Sequence, residues 1–171
     1  AERRLADLEG AEDCLVFSSG MMAITTTILA LVRTGDHIIM TDDSYKKTLE
    51  FCNSYLKRFG IECTIVPFGN YEALEAVIKP NTRFILSESP TNPYLNVFDL
   101  VKFNQIARRH NVMSIIDSTF ATPFNQRPLE FGIDLVTHSA TKYLAGHNDI
   151  LAGCVLGKKE IIDRIRALHK S

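Results

Sequence analysis

Short runs of consecutive apolar residues, separated by segments with helical periodicity, constrain the fold of this chain more than any other feature. The runs CLVFSS, HIIMTD, RFILSES and VMSIID have the residue types of strands that are apolar on both faces. Strands of this kind belong to a parallel sheet with helices on both sides. Helices are predicted over 2–9, 21–32, 44–58, 71–78 and 99–110. The alternation therefore predicts an α/β domain whose mostly parallel sheet is sandwiched by helices.

One predicted strand departs from the parallel pattern. The run LAGCVLG (151–157) follows DLVTHSA (134–140) so closely that no helical crossover fits between them. Neighbouring antiparallel strands need no such crossover. We therefore expect 151–157 to run antiparallel to the other strands.

The composition is that of one globular domain and excludes several classes of function. The 171 residues include 46% hydrophobic and 23% charged residues, which argues against disorder. The formal net charge of −1 predicts no affinity for nucleic acid or for an anionic membrane. Four cysteines without a CxxC pair are typical of a reduced, intracellular protein. No stretch approaches the roughly 20 apolar residues that span a bilayer.

The two ends of the chain predict that it is a piece of a longer protein. It opens on AERRLADLEG and ends on RIRALHKS, and both segments have a helical pattern. The opening segment lacks the apolar centre of a signal peptide. We expect a cytoplasmic protein, or a plastid protein if a transit peptide has been removed.

Polar residues follow several of the predicted strands. In an open parallel sheet the functional crevice lies outside the carboxyl ends of the strands, so these residues are expected to meet there. They are residues 18–20, 41–45 and 88–92, with Asp117, Thr119, Ser139, Thr141 and Lys142.

The segment SSGM joins a strand directly to a helix and has two interpretations. Free backbone N–H groups at the helix start, around Ser19 and Gly20, can hold a phosphate. Alternatively, Ser18 or Ser19 only caps the helix. The segment is neither GxGxxG nor a P-loop, which argues against a dinucleotide or a nucleoside triphosphate.

Asp117 and Lys142 are ionisable residues at or just after the ends of apolar strands, where a buried charge needs a partner. Asp117 ends the apolar strand MSIID, where an ionised carboxylate needs a partner such as a protonated ring nitrogen. It can otherwise cap the following turn. Lys142, in SATKYLAGHND, either extends its amine to water or condenses with an aldehyde.

These features together match pyridoxal phosphate (PLP), which requires a lysine for its aldehyde, an acid for its pyridine nitrogen and a phosphate site. Tyr45 could stack on the ring, or be a surface helix residue. Asn92 could donate to the ring hydroxyl, or belong to an ordinary Asn-Pro turn. No metal site is predicted, because His138 and His147 lack the spacing of ligands.

Four motifs, SSGM, ESPTNP, DSTFATP and SATKYLAGHND, resemble in order and spacing the Cys/Met metabolism family of PLP enzymes, which has the aspartate aminotransferase fold (fold type I). The resemblance implies that Lys142 binds the cofactor aldehyde and that Asp117 pairs with the pyridine nitrogen. It implies that Tyr45 stacks on the ring and assists proton transfer. The remaining implied cofactor neighbours are the phosphate-site residues Ser19, Gly20, Met21, Ser139 and Thr141, the ring neighbours Asn92 and Thr119, and the motif acid Glu88.

Within the family, DSYKKT, GHNDILAGC and FATPFNQ are similar to cystathionine γ-synthases of the plant type. Such enzymes join an O-activated homoserine to cysteine by γ-replacement, giving cystathionine for methionine biosynthesis. The alternatives are a cystathionine γ- or β-lyase, a methionine γ-lyase or an O-acylhomoserine sulfhydrylase. A cofactor-free α/β assembly module is the alternative outside enzymes.

The resemblance also implies what the chain lacks. Residues 1–171 correspond to the central part of the PLP-binding large domain, truncated at both ends. In the family, a tyrosine and an arginine from a preceding segment of the neighbouring subunit complete the phosphate site, and an arginine of a C-terminal domain binds the substrate carboxylate. We therefore expect small amino-acid substrates, and a homotetramer built from dimers with shared active sites.

Overall fold

Seven strands form one sheet in the computed structural model, which describes residues 1–170. The strands are β1 (Asp13–Phe17), β2 (His37–Thr41), β3 (Glu62–Val66), β4 (Thr82–Glu88), β5 (Met113–Asp117), β6 (Leu135–His138) and β7 (Gly153–Gly157). Their order in the sheet is β1-β7-β6-β5-β4-β2-β3. The pairs among β2 to β6 are parallel, whereas β7 is antiparallel to both of its neighbours. The predicted α/β class and the antiparallel run at 151–157 are both confirmed.

Seven α-helices precede, connect or follow these strands within residues 1–170. They are α1 (Glu2–Glu9), α2 (Gly20–Leu31), α3 (Lys46–Glu50), α4 (Tyr71–Ala76), α5 (Leu100–Arg109), α6 (Thr122–Asn125) and α7 (Lys159–His169). Helix α1 ends at Gly10, whose φ of 73° places it in the left-handed region that glycine adopts without strain. None of the described helices has the length and apolar character that a membrane crossing requires.

The helix predicted over 44–58 has a different form from the one expected. Only α3 is an α-helix, and it continues as a π-helical turn over Phe51–Tyr55 and a 3₁₀ turn over Leu56–Phe59. The buried residues of this segment, Thr48, Cys52 and Leu56, recur every four positions. An α-helix has about 3.6 residues per turn, so a spacing of four drifts around its surface, and a wider turn reduces that drift.

Apolar residues on both faces of the sheet pack into separate cores. In β2, Ile38 belongs to the cluster that contains α2 and α7 residues, whereas Ile39 belongs to the cluster that contains α5 residues. Leu86 and Ile85 of β4 divide in the same way. Because successive side chains of a strand point to opposite faces, a sheet covered on both faces requires continuous apolar runs.

Two glycines allow the start of α2 to approach the sheet. A Cβ at Gly153 of β7 would overlap the carbonyl group of Ser19, and a Cβ at Gly20 would lie 2.7 Å from the Cβ of Ser139. The segment between β1 and α2 therefore lies directly beside the residues that follow β6. This contact brings the helix start to the carboxyl edge of the parallel strands.

Candidate active site

A cavity of about 360 Å³ lies at the carboxyl edge of β4, β5 and β6, beside the start of α2. This volume is within the range of roughly 300–1,000 Å³ that is usual for small-molecule sites. All eleven residues that the sequence nominates for cofactor binding line it: Ser19, Gly20, Met21, Tyr45, Glu88, Asn92, Asp117, Thr119, Ser139, Thr141 and Lys142. The structure thus brings these residues together, while their individual roles stay predictions.

Three apolar residues also line the cavity and were not nominated from the sequence. They are Ile24, Phe120 and Leu151. Ile24 lies one helical turn after Gly20, and Phe120 follows Thr119 in the motif DSTFATP, so both had a local signal. Leu151 had none, because it comes from the turn-rich segment between β6 and β7 and is 77% exposed.

A larger cavity of about 560 Å³ lies elsewhere, between the starts of α5 and α6. Its lining includes Phe124, which is 93% exposed, and the ion pair of Arg127 with Glu130. It contains none of the predicted site residues.

The start of α2 offers donors for an anion. Ser19 is the N-cap, and its Oγ accepts a hydrogen bond of 3.1 Å from the N–H of Met22, as the capping interpretation predicts. The N–H groups of Gly20 and Met21, in the first turn, have no acceptor within the helix. Both interpretations of SSGM are therefore compatible, because the cap uses the N–H of Met22 and leaves those of Gly20 and Met21 to a ligand.

The two hydroxyl groups beside this helix start differ in availability. Thr141 Oγ1 donates to the carbonyl of Ala152 at 3.0 Å and accepts from the N–H of Ala152 at 2.9 Å. Its only proton is therefore already donated within the chain. The N–H of Ser139 donates to Thr119 Oγ1 at 2.8 Å. Ser139 Oγ makes no hydrogen bond among the described residues, so Ser139 is the better donor toward an anion.

Two carboxyl groups lie side by side in the cavity, because Glu88 of β4 is in register with Asp117 of β5. Burial raises the pKa of Glu88 to about 8, and the charge of Asp117 adds to this effect. Burial also raises the pKa of Asp117, although hydrogen bonds from the side chain and N–H of Thr119 oppose the rise. Among residues 1–170 no cationic side chain forms an ion pair with either group.

Both interpretations of Asp117 are compatible with this geometry. Its Oδ1 accepts the bonds from Thr119 and so caps the turn after β5. Asp117 nevertheless lines the cavity, and Thr119 links it to the N–H of Ser139. A carboxyl pair with one buried and one half-buried member and no internal cation favours a cationic ligand over a neutral one.

Lys142 and Tyr45 reach the cavity from exposed segments. Lys142 lies in the turn after β6, where its N–H donates to the carbonyl of Ser139 at 3.1 Å. The residue is exposed, and among residues 1–170 its Nζ has no hydrogen bond or ion pair. Tyr45 is the N-cap of α3 and is 42% exposed, while its N–H donates to Glu88 Oε2 at 2.7 Å. Lysine and tyrosine are therefore both accessible to a ligand in the cavity.

His138 and His147 lie in different environments. His138 Nε2 is 3.0 Å from Glu9 Oε2, and both residues are buried. His147 is exposed, and its Nδ1 lies 2.9 Å from the carbonyl oxygen of Ala145. Among the described residues no cluster of His, Cys, Asp and Glu side chains has the arrangement of a metal site.

Comparison with known proteins identifies relatives of one kind. The family model for Cys/Met metabolism PLP-dependent enzymes matches residues 1–171. Cystathionine γ-synthase 1 (chloroplastic) of Arabidopsis thaliana is 44% identical over 169 residues, which are 98% of this chain and 30% of the relative. L-Methionine γ-lyase of Pseudomonas putida is 46% identical over 165 residues, which are 96% of this chain and 42% of the relative.

A solved structure agrees in fold as well as in sequence. It is that of a Campylobacter jejuni protein assigned as an O-acetylhomoserine (thiol)-lyase, which contains a pyridoxyl-lysine monophosphate. The two structures superpose with a TM-score of 0.90 at 36% identity, over 95% of this chain and 40% of the other. The chain thus spans less than half the length of each of these three proteins.

Proposed function

The chain belongs to the family of Cys/Met metabolism PLP-dependent enzymes, and we propose that residues 1–171 are the central part of the PLP-binding large domain of a longer enzyme. The proposal of further segments rests on the relatives, of which this chain covers 30% and 42%. Under it, the missing parts include an N-terminal segment and a C-terminal domain.

The observation that carries the proposal is the convergence of eleven separately nominated residues on one cavity. The donor set fits PLP, which has a pyridine nitrogen, an aldehyde, a ring hydroxyl and a phosphate. Glu88 is a buried acid and Asp117 a half-buried one, and together they favour a cation, whereas the helix start at Gly20 favours an anion. When bound, PLP supplies an electron sink that stabilises a carbanion at the substrate.

Each residue then has a definite task in holding the cofactor. The Asp117 carboxylate would accept a hydrogen bond from the protonated pyridine nitrogen, and Thr119 keeps that carboxylate oriented. The N–H groups of Gly20 and Met21, with Ser139 Oγ, donate to the phosphate beside the Ser19 cap. Thr141 supports the same site by tying the turn before Lys142 to Ala152.

The residues on the other side of the cavity act on the ring and on protons. Tyr45 would stack on the ring and assist proton transfer with its hydroxyl group. Asn92 donates to the ring hydroxyl, while Glu88 holds the backbone of Tyr45 in place. Lys142 is the residue whose Nζ would hold the cofactor aldehyde, and its amine would take and return protons at the substrate carbons.

For the overall reaction we propose γ-replacement on an O-activated homoserine with cysteine, which forms the thioether cystathionine. The support is the similarity of DSYKKT, GHNDILAGC and FATPFNQ to plant-type synthases, together with the identity of 44% to the Arabidopsis synthase. Two carbons must lose protons in turn, so a lysine that moves protons beside an electron sink suits the chemistry.

A second candidate is γ-elimination, as in a methionine or cystathionine lyase. The chain is 46% identical to the Pseudomonas methionine γ-lyase and 44% identical to the Arabidopsis synthase, so sequence identity supports elimination as strongly as replacement. A further alternative is an O-acylhomoserine sulfhydrylase, which replaces the acyloxy group of the substrate with sulfide to give a thiol. The products distinguish these reactions, since replacement with cysteine gives a thioether, replacement with sulfide gives a thiol, and elimination gives ammonia and a 2-oxo acid.

The proposed assembly is a homotetramer built from dimers with shared active sites. Leu151, which lines the cavity, is 77% exposed, and Tyr94 and Tyr143, which follow the lining residues Asn92 and Lys142 closely in the chain, are 74% and 61% exposed, as expected of a surface that another chain or segment covers.

The test is the visible spectrum of the full-length protein after addition of PLP. Wild type should develop a band that Lys142→Ala lacks, and borohydride reduction should leave the adduct on a peptide containing Lys142. Product analysis with an O-acylhomoserine and cysteine, and separately with methionine, then assigns replacement or elimination.

A further inference from the structure

A partly buried polar network joins the loop after β2 to the loop after β4. Asp43 lies in the loop between β2 and α3, and its Oδ2 accepts two short hydrogen bonds from the loop after β4. Thr91 Oγ1 donates to it at 2.8 Å, and Asn96 Nδ2 donates to it at 2.7 Å. Thr91 is completely buried, so this carboxylate satisfies a hydroxyl group that water does not reach.

The loop that Asp43 holds is closed on itself. The N–H of Asn96 donates to Thr91 Oγ1 at 3.0 Å, and the N–H of Thr91 donates to the carbonyl of Asn96 at 2.9 Å. Asn92, which lines the cavity, is the first residue inside this closed loop. The position of Asn92 therefore depends on the position of Thr91.

The loop that contains Asp43 also carries a cavity residue. Tyr45 follows Asp43 by two residues, and its N–H donates to Glu88 Oε2 at 2.7 Å. Glu88 ends β4, three residues before Thr91. The two loops are thus joined at two points, by Tyr45 to Glu88 and by Asp43 to the residues Thr91 and Asn96.

Asp43 makes these contacts with one oxygen only. Its Oδ1 is buried and has no hydrogen-bond partner among residues 1–170. A buried acceptor without a partner is costly, so the position would not favour a carboxylate unless the bonds at Oδ2 compensate. The charge of Asp43 also contributes, after burial and Asp117, to the raised pKa of Glu88.

We propose that Asp43 is a positioning residue, which fixes Tyr45 relative to Asn92 across the cavity by tying the loop 42–45 to the loop 91–96. The inference rests on the proposed function, because it gives Tyr45 and Asn92 their place beside the PLP ring. Asp43 itself does not line the cavity. Its loss loosens the ring environment but leaves Lys142 and the helix start at Gly20 intact.

The test compares wild-type, Asp43→Ala and Asp43→Asn full-length proteins loaded with PLP. Asp43→Ala should keep the Lys142-dependent band, because the aldehyde site is intact. Its visible circular dichroism per bound PLP should fall by about twofold or more, and turnover by about 10- to 100-fold, since misplaced contact groups act on the ring. Asp43→Asn retains an acceptor oxygen for Thr91 and Asn96 and should fall between wild type and Asp43→Ala.

Two further variants separate positioning from simple loss of stability. Asp42→Ala removes the neighbouring carboxylate, which accepts from the N–H of Phe68 rather than from the loop 91–96, and should leave the dichroism per bound PLP unchanged. Thr91→Val removes the hydroxyl donor to Asp43 at nearly constant shape, together with the acceptor of the N–H of Asn96. Combining it with Asp43→Ala should give less than the sum of the two single effects, because both changes remove the same bond between Thr91 and Asp43.

The outcomes separate this inference from the function on which it rests. A wild-type protein without a Lys142-dependent band would overturn both. A normal wild-type band with unchanged dichroism and turnover in Asp43→Ala would overturn the inference alone. If Asp43→Ala fails to fold, Thr91→Val decides, and wild-type dichroism in that variant would overturn the inference.

Discussion

Glu88 and Asp117 are two acids in register on neighbouring strands, and their ionisation depends on what else occupies the cavity. Burial and the adjacent charge raise the pKa of Glu88 from 4.5 to about 8. A proton is therefore bound to Glu88 in the folded state over a pH range in which the unfolded state has released it. Glu88 alone should therefore make the free energy of unfolding depend measurably on pH.

The free energy of unfolding of the cofactor-free protein should contain a term that is fully present below pH 4.5 and lost as the pH rises through about 8. Glu88→Gln removes this term but keeps an acceptor for the N–H of Tyr45. The difference in stability between variant and wild type should therefore change in favour of the variant as the pH rises. Urea unfolding at several pH values measures it, and a difference that stays constant with pH would contradict the raised pKa.

Gly20 is the residue at which space is most limited beside the helix start. A Cβ there would lie 2.7 Å from the Cβ of Ser139, so Gly20→Ala must displace Ser139 or the first turn of α2. We expect a loss of about 1–3 kcal/mol of stability from this overpacking. Because the displaced groups are the proposed phosphate donors, PLP should bind about tenfold or more weakly.

The control for this prediction is Met22→Ala in the same turn. Met22 is 43% exposed, and the bond of its N–H to Ser19 Oγ does not depend on its side chain. Titration with PLP measures both variants. Equal PLP affinities of Gly20→Ala and wild type would show that the contact of Gly20 with Ser139 does not shape the anion site.

At the scale of elements, a buried pair fixes α1 to the sheet. Glu9 at the end of α1 and His138 at the end of β6 are 0% and 1% exposed and lie 3.0 Å apart. Glu9 Oε1 and His138 Nδ1 have no hydrogen-bond partner within residues 1–170. Ser139 follows His138 directly, so the same contact anchors the start of the segment that leads to Lys142.

Removal of either member of this pair should be strongly destabilising, because the other polar group would stay buried without a partner. Glu9→Ala and His138→Ala should each lower the free energy of unfolding by about 1–3 kcal/mol. The double variant Glu9→Leu with His138→Leu should recover much of that loss, because it leaves no polar group behind. Denaturant unfolding measures all three, and single variants that cost less than about 1 kcal/mol would contradict the pairing.

The elements themselves were largely predictable, because continuous apolar runs have one common explanation in a doubly covered sheet. The antiparallel direction of β7 was predictable from the short connection after β6. The π-helical turn over Phe51–Tyr55 was not, because its cause is the packing of Cys52 and Leu56 against the sheet rather than a local propensity.

The candidate site was predictable to the same degree and for a related reason. Residues that follow parallel strands meet at one edge, so their convergence needed only the strand assignments. Leu151 was missed because it enters from an irregular segment. The use of the Thr141 hydroxyl by Ala152 was also missed, because it joins residues across a turn that has no periodic pattern.

At the scale of the whole molecule, large apolar side chains are exposed at the cavity and in the segments that carry its lining residues. Leu151 lines the cavity, and Tyr94 and Tyr143 follow Asn92 and Lys142 closely in the chain, whereas a monomer usually exposes such residues singly. This distribution agrees with the proposed tetramer, in which other chains or segments cover the cavity mouth.

The full-length protein should therefore sediment as an assembly of four chains, and Leu151→Glu should shift it toward smaller species by placing a charge in a covered apolar contact. Phe59 provides the control, because it is 55% exposed in the 3₁₀ turn that precedes β3. Phe59→Ser should leave the assembly unchanged. Sedimentation velocity measures all three proteins. A monomeric wild type that binds PLP normally would contradict shared active sites.

The central claim is that Lys142 lies in a PLP site, and the visible spectrum of the full-length protein tests it most directly. PLP should produce a band in wild type that is absent from Lys142→Ala, and borohydride reduction should place the adduct on the Lys142 peptide. The account is contradicted if the full-length wild type shows no band, or if the band persists in Lys142→Ala with the adduct on another lysine.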